Sequence, residues 1–177
     1  MSYNDISGMK PSKLGALFAL LTILCSFALG ATLGLFENEA RDYLKVEAEG
    51  VKDTVYKGDE AKINEIINES LSYCRKAHTH SAGLGAIALA VIVYMGVIGT
   101  AGFIKFIGSL CIGLGALGYT AFWVVAAWMA PTLGSAVEAK NELYWLSQGS
   151  GGLCILGMLF ALLAFLGSLF SRREEDY

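Results

Sequence analysis

The chain has 177 residues, of which 55% are hydrophobic and only 16% charged, with a net charge of −3 and a mean hydropathy of +0.53. A soluble domain carries about a quarter charged residues, so this composition argues against one, and the lack of a basic face argues against nucleic acid as a partner. The length suits one domain. The charges are also segregated: the runs 14–36, 82–104, 106–137 and 143–171 contain no Asp, Glu, Lys or Arg. Each exceeds the roughly 20 helical residues needed to cross a hydrocarbon core of about 30 Å. The expected fold is an all-α membrane protein, a single domain over residues 1–177, with four transmembrane helices at about 14–36, 82–104, 106–130 and 149–171.

In chain order, residues 1–13 are short and polar, with Lys10 and Lys13 against the first apolar run. That resembles a signal peptide, and Ala28-Leu29-Gly30 has the look of a weak cleavage site. The apolar run continues to Phe36, however, which predicts an uncleaved first helix. Inside it, Gly30-x-x-x-Gly34 offers a small-residue surface for close helix contact. The segment 37–80 holds seven Lys or Arg mixed with ten Asp or Glu. Its pattern is helical: Tyr43, Leu44, Val51 and Val55 continue helix one with an interruption near Gly50. Gly58-Asp59 reads as a turn with an N-cap, and Ile63, Ile66, Ile67, Leu71 and Cys74 form one apolar stripe. The prediction is an extramembrane helical hairpin inserted between helices one and two, its second arm running unbroken into the second span.

Helix two begins at Lys76-Ala77-His78-Thr79-His80-Ser81, where both histidines of the chain meet the boundary between charged and apolar sequence. Lys105 is expected in the tight link to helix three. Pro131 is expected to end helix three, because it lacks the N–H that would continue the turn. Trp128 near that end and Trp145 in the following connection suit the membrane–water interface. Residues 132–146 read as a second, shorter connection, with Glu138, Lys140 and Glu142 exposed. Further small-residue pairs, Ser109-x-x-x-Gly113, Ala116-x-x-x-Thr120 and Gly157-x-x-x-Ala161, predict tight helix packing within the chain or with other subunits.

Orientation follows from flanking positive charge. Lys10 and Lys13, Lys105, and Arg172 with Arg173 fall on one side of four spans, which predicts both termini in the cytoplasm and the 37–80 hairpin on the periplasmic face. The seven positive residues of that hairpin are the opposing observation. A short internal repeat is also visible. Thr32-Leu33-Gly34 before Glu39-Ala40-Arg41 recurs as Thr132-Leu133-Gly134 before Glu138-Ala139-Lys140, and Ser81-Ala82-Gly83-Leu84 as Ser150-Gly151-Gly152-Leu153. Duplicated helix pairs would be related by an approximate two-fold along the membrane normal.

The candidate chemistry is sparse. Cys25, Cys111 and Cys154 lie in apolar runs and only Cys74 in a charged segment, so no disulfide framework is expected. Cys74 and His78 stand four apart and share a helix face, which suits two ligands of one metal ion. His80 lies roughly 200° round the helix from His78, so both imidazoles reach one metal only where the helix frays. A bis-histidine haem inside one chain needs histidines on different helices, and the other three carry none, so a haem would require His/Met ligation, a second chain or a partner protein. The competing reading makes the imidazoles interfacial caps of helix-end groups. The spans hold no ionisable side chain, which argues against a proton pump or ion-coupled transporter. No phosphate loop, HExxH, CxxC or nucleophile elbow is present, and Asp59, Glu60, Glu65 and Glu69 follow the spacing of a hydrated helix face.

Tyr56-Lys57-Gly58-Asp59, the Lys76–Gly85 stretch, and Ala130-Pro131-Thr132-Leu133-Gly134-Ser135 before Ala139-Lys140 together resemble a family of small four-helix bacterial inner-membrane proteins. The resemblance covers most of the chain. It implies a bacterial inner-membrane location and brings no activity, cofactor or catalytic residue. The expected function is a structural or accessory membrane subunit rather than an enzyme. Its partners would be the lipid bilayer and other subunits or further copies of itself, in an assembly such as a respiratory or other redox complex, with the hairpin docking the partner. The alternative is a redox protein binding haem, copper or zinc through His78, His80 and Cys74. A third reading is a carrier of a small apolar ligand among Tyr94, Tyr119 and Trp123.

Overall fold

The computed structural model describes residues 12–171; Lys10, Arg172 and Arg173, on which part of the orientation argument rests, lie outside them. The elements in order are α1 (Lys13–Leu35), α2 (Glu37–Glu49), one π-helical turn (Lys52–Tyr56), α3 (Glu60–Val97), α4 (Gly102–Leu133), α5 (Ala136–Glu142) and α6 (Tyr144–Ser171). No strand occurs among the described residues. α1, α3, α4 and residues Tyr144–Leu169 of α6 are each long and apolar enough to cross a membrane. Large apolar side chains such as Leu24, Phe27, Ile155 and Leu163 stand exposed along these helices. Facing water, each would forgo about 1.5–3 kcal/mol of burial; facing acyl chains they lose nothing. The protein is therefore an all-α, multi-pass membrane protein with a short extramembrane hairpin between its first two spans.

Three boundaries differ from the sequence expectation. The link between the second and third spans is residues 98–101, not Lys105, because Gly99 takes the left-handed conformation (φ +69°) that ends a helix. Lys105 sits in the first turns of α4 and is 6% exposed. Pro131 does not end its helix: α4 continues to Leu133 and stops at Gly134, φ +66°. A proline so near the C-terminus removes one ladder bond and leaves the rest intact. α6 begins at Tyr144 rather than 149, because only Leu143 separates it from α5 and glycines 149, 151 and 152 continue the helix.

The chain forms two compact units. One comprises residues 12–23, 83–117 and 149–171, around Ala19, Ala88, Ile92, Ile112 and Ala116. Its helices meet at small residues. A Cβ on Gly113 would stand 2.4 Å from the Gly15 carbonyl oxygen, and one on Gly157 would stand 2.6 Å from Ile112 Cβ. Side chains at those positions would hold the backbones apart.

The second unit, residues 24–82 and 118–148, contains the hairpin. Its core includes Leu44 of α2, Tyr56, Ile63, Ile67 and Leu71 of α3, and Ala126 and Ala130 of α4. Phe36 (φ −131°, ψ 31°) breaks the run from α1 into α2, whose Glu37 and Glu39 suit the positive end of a helix dipole. Lys57 (φ 53°) and Gly58 (φ 80°) turn the chain after the π-helical segment. The Asp59 carboxylate then accepts from the Lys62 N–H at 3.1 Å, capping α3. From there Ile63, Ile66, Ile67 and Leu71 bury one face, and α3 runs on without interruption for 38 residues.

Candidate functional site

The hairpin is fixed by two buried phenols. Tyr56 donates its hydroxyl to the Pro131 carbonyl at 2.6 Å, and Tyr73 donates to the Ala136 carbonyl at 3.1 Å. The first satisfies one of the carbonyls that every helix C-terminus leaves without an internal partner. Burial pushes the Tyr56 phenol above its ordinary pKa, so it stays a donor. Gly134 is required twice over, by its positive φ and because a Cβ would lie 2.4 Å from Val55 Cγ1. The ion pairs Arg75–Glu37 and Lys45–Glu49, and the contact of Lys52 with Glu60, are exposed. Pairs of that kind contribute little; apolar burial and the phenols hold the hairpin.

The two histidines part company on α3. His78 turns to α1: its Nδ1 lies 2.9 Å from the Ser26 carbonyl oxygen, and its ring covers Gly30, where a Cβ would be 2.9 Å from Cε1. A carbonyl only accepts, so Nδ1 is the donor in this contact. Ser26 and Ser81 both donate to the His78 carbonyl, at 3.1 and 3.0 Å. His80 turns to α4. It stacks on Trp123 (centroids 5.8 Å, 10° between planes) and meets Tyr119 edge-on at 5.3 Å.

Trp123 is the centre of this aromatic group, touching Tyr73 at 5.2 Å and Phe122 at 5.0 Å. Lys76 Nζ lies 5.0 Å from the Tyr73 ring centre and 5.2 Å from that of Trp123. These are cation–π distances. The Trp123 indole N–H is buried without a hydrogen-bond partner among the described residues. Cys74 lines an apolar pocket with Leu71 and Leu44. His80 thus faces away from His78, whereas Cys74 and His78 both lie towards α1, Cys74 at the pocket it shares with Leu29 and Leu33; no group of three or more His, Cys, Asp or Glu able to hold a metal occurs among the described residues.

Of the small residues singled out from sequence, Gly30 faces the His78 ring, whereas a Cβ on Gly34 would meet nothing within 4 Å. Ser109 is fully buried, and its own carbonyl oxygen would stand 2.3 Å from a Cβ on Gly15. Ala161 is 5% exposed and Thr120 2%. Trp128 and Trp145 are 60% and 83% exposed. Tyr94 lies in the other unit from Tyr119 and Trp123, against Phe165 at 6.4 Å. Sequence reasoning missed Gly108 and Gly115, which receive Phe160 and Cys154. Their spacing of seven, with Ile112 between them, is two helical turns, a signal that a search for pairs four apart passes over.

No protein-family model matches the chain, and no curated protein and no solved structure matches it. The family resemblance read from sequence therefore rests on those motifs alone. What the structure establishes is a helical protein with several apolar helices long enough to span a membrane.

Proposed function

We propose that this protein is a non-enzymatic accessory subunit of a larger assembly in a bacterial inner membrane. Both termini face the cytoplasm and the hairpin unit offers a docking platform on the opposite side. The supporting observation is the pair of buried bonds from Tyr56 to Pro131 and from Tyr73 to Ala136. They tie a charged extramembrane segment to α4 and α5, so a partner would meet a surface already ordered, with little entropy left to lose on binding. Exposed apolar residues on this unit, Val46 and Val137, are candidate contacts. Mild detergent extraction followed by native mass spectrometry is the test. A co-purifying protein whose binding weakens on Val46→Asp or Val137→Asp supports the reading; a stable monomer that retains no other protein overturns it.

A second reading is favoured by the His78 geometry. An imidazole that donates Nδ1–H to a carbonyl has the orientation typical of a ligating histidine. With His80 turned elsewhere, His78 would share a haem, copper or zinc with a ligand from a second chain. An absorption spectrum and elemental analysis of freshly purified protein would show a Soret band or stoichiometric metal, lost on His78→Ala. Colourless, metal-free protein would dispose of this reading.

A further inference from the structure

The hairpin unit carries an open pocket of about 450 Å³ between α1, α2, α3 and α4, with its lining residues Tyr43 and Trp128 themselves exposed, within the ~300–1,000 Å³ of small-molecule sites. Its wall is nearly all apolar, built from Leu29, Leu33, Leu44, Leu71, Val124 and Trp128. The polar groups on the wall are the Tyr43 phenol and Trp128 indole N–H, both on exposed residues, the Thr32 hydroxyl, committed to the Ala28 carbonyl at 3.0 Å, and the Cys74 thiol, a weak donor. A polar ligand would lose its hydration here and find few replacements. Hydrocarbon is the chemistry that fits.

The position of the cavity and the charge beside it indicate whose hydrocarbon. Leu29 and Leu33 belong to the last turns of α1, whose neighbouring side chains Phe27, Leu35 and Phe36 are 73%, 74% and 52% exposed. The α1 wall thus adjoins surface for which acyl chains are the solvent. Arg41 and Arg75, which do not line the pocket themselves, directly follow its lining residues Ala40 and Cys74 in sequence. Arg75 donates to the Glu37 carboxylate at 2.8 Å, and Arg41 approaches the same carboxylate at 3.9 Å while donating to Asn68. One carboxylate shared by two guanidiniums leaves this cluster of three one positive charge in excess, within a segment whose ten carboxylates outnumber its seven cations. Guanidinium forks match the oxygens of a phosphate.

We propose that this cavity takes one acyl chain of an anionic phospholipid whose phosphate pairs with Arg41 and Arg75. The tail gains little by leaving an equally apolar bilayer, so selection comes from the headgroup. One excess basic charge at a membrane surface gives about a fivefold preference for an anionic over a zwitterionic lipid with the same chains. The site stands independently of the docking role.

Native mass spectrometry of the full chain in detergent, titrated with phosphatidylglycerol or phosphatidylcholine of identical chains, tests the proposal. The expected result is one phosphatidylglycerol adduct, favoured about fivefold. Ala40→Leu, which puts three further carbons into the pocket, weakens the adduct, and Arg41→Gln with Arg75→Gln removes the preference. Equal retention of both lipids, or undiminished phosphatidylglycerol binding by Ala40→Leu, overturns the proposal. So does a wild-type dimer that Ala40→Leu dissociates, since a second copy would then be the occupant. Should Ala40→Leu fail to fold, a chain carrying Cys25→Ala, Cys111→Ala and Cys154→Ala keeps Cys74 as its single thiol. Phosphatidylglycerol should slow maleimide labelling of Cys74 in that chain more than phosphatidylcholine does; equal rates with the two lipids refute the site.

Discussion

Tyr56→Phe removes one oxygen atom and leaves the ring in place. The wild-type phenol is 2% exposed and donates to the Pro131 carbonyl at 2.6 Å. The variant leaves that acceptor without its donor inside the unit's core, which costs about 1–3 kcal/mol, against the smaller net value of a bond lost with both partners. Tyr73→Phe breaks the longer 3.1 Å bond to Ala136 and should cost less. The alkaline limb supplies a second readout. Burial raises the Tyr56 pKa in the folded chain above the unfolded value of about 10. The folded state therefore holds the phenolic proton more tightly. Its contribution is complete below the unfolded pKa and disappears as pH rises through the raised folded value. Thermal unfolding in detergent, followed by near-ultraviolet circular dichroism at pH 7 and again above pH 10, measures both effects. Tyr56→Phe should be less stable at neutral pH, and the gap to wild type should narrow in alkali. Equal midpoints at pH 7 would refute the assignment of this bond as the hairpin's anchor, and a gap that does not narrow would refute the rise in the Tyr56 pKa through burial.

Gly113→Ala places a methyl 2.4 Å from the Gly15 carbonyl oxygen, and backbone cannot give way as a side chain can. A loss of about 1–3 kcal/mol is expected, whereas Gly34→Ala, with nothing within 4 Å, should gain about 0.5–1 kcal/mol from reduced chain entropy; the two midpoints measured side by side decide it. Gly30→Ala drives its methyl into the His78 ring, 2.9 Å from Cε1. Adding His78→Ala should relieve part of that damage, with a coupling of about 0.5–3 kcal/mol in a double-mutant cycle; additive losses would mean the ring does not press on Gly30. Asp59→Ala removes the α3 cap and should cost about 1 kcal/mol, with faster hydrogen exchange confined to the first turn around Lys62.

Much of the architecture was legible because it depends on local sequence. The four uncharged runs set the spans, since a charge in hydrocarbon is expensive wherever its helix lies. The stripe from Ile63 to Leu71 and the Gly58-Asp59 turn set the course of α3 into the membrane, because helical periodicity and capping act within a few residues. Helix ends were less legible. Lys105 and Pro131 looked like punctuation, but the chain turns at Gly99 and Gly134, where the backbone conformation rather than the side chain decides.

The candidate site divides in the same way. Sequence put His78 and His80 on nearly opposite faces of one helix, and that much follows from a residue step of about 100°. Which helix each face would meet depended on contacts between residues 52 positions apart for Ser26 with His78, and on Trp123 and Tyr119 lying beside His80. Tyr56 gave no sequence sign of its role, since its acceptor is 75 residues away and is a backbone atom that every residue possesses. The cavity was equally hidden: empty space has no residue of its own. Which segments leave water is written in local composition, because transfer free energy accumulates along a single helix. What each imidazole, phenol and thiol touches emerges with the packed helices, because those contacts depend on how separate helices are brought side by side.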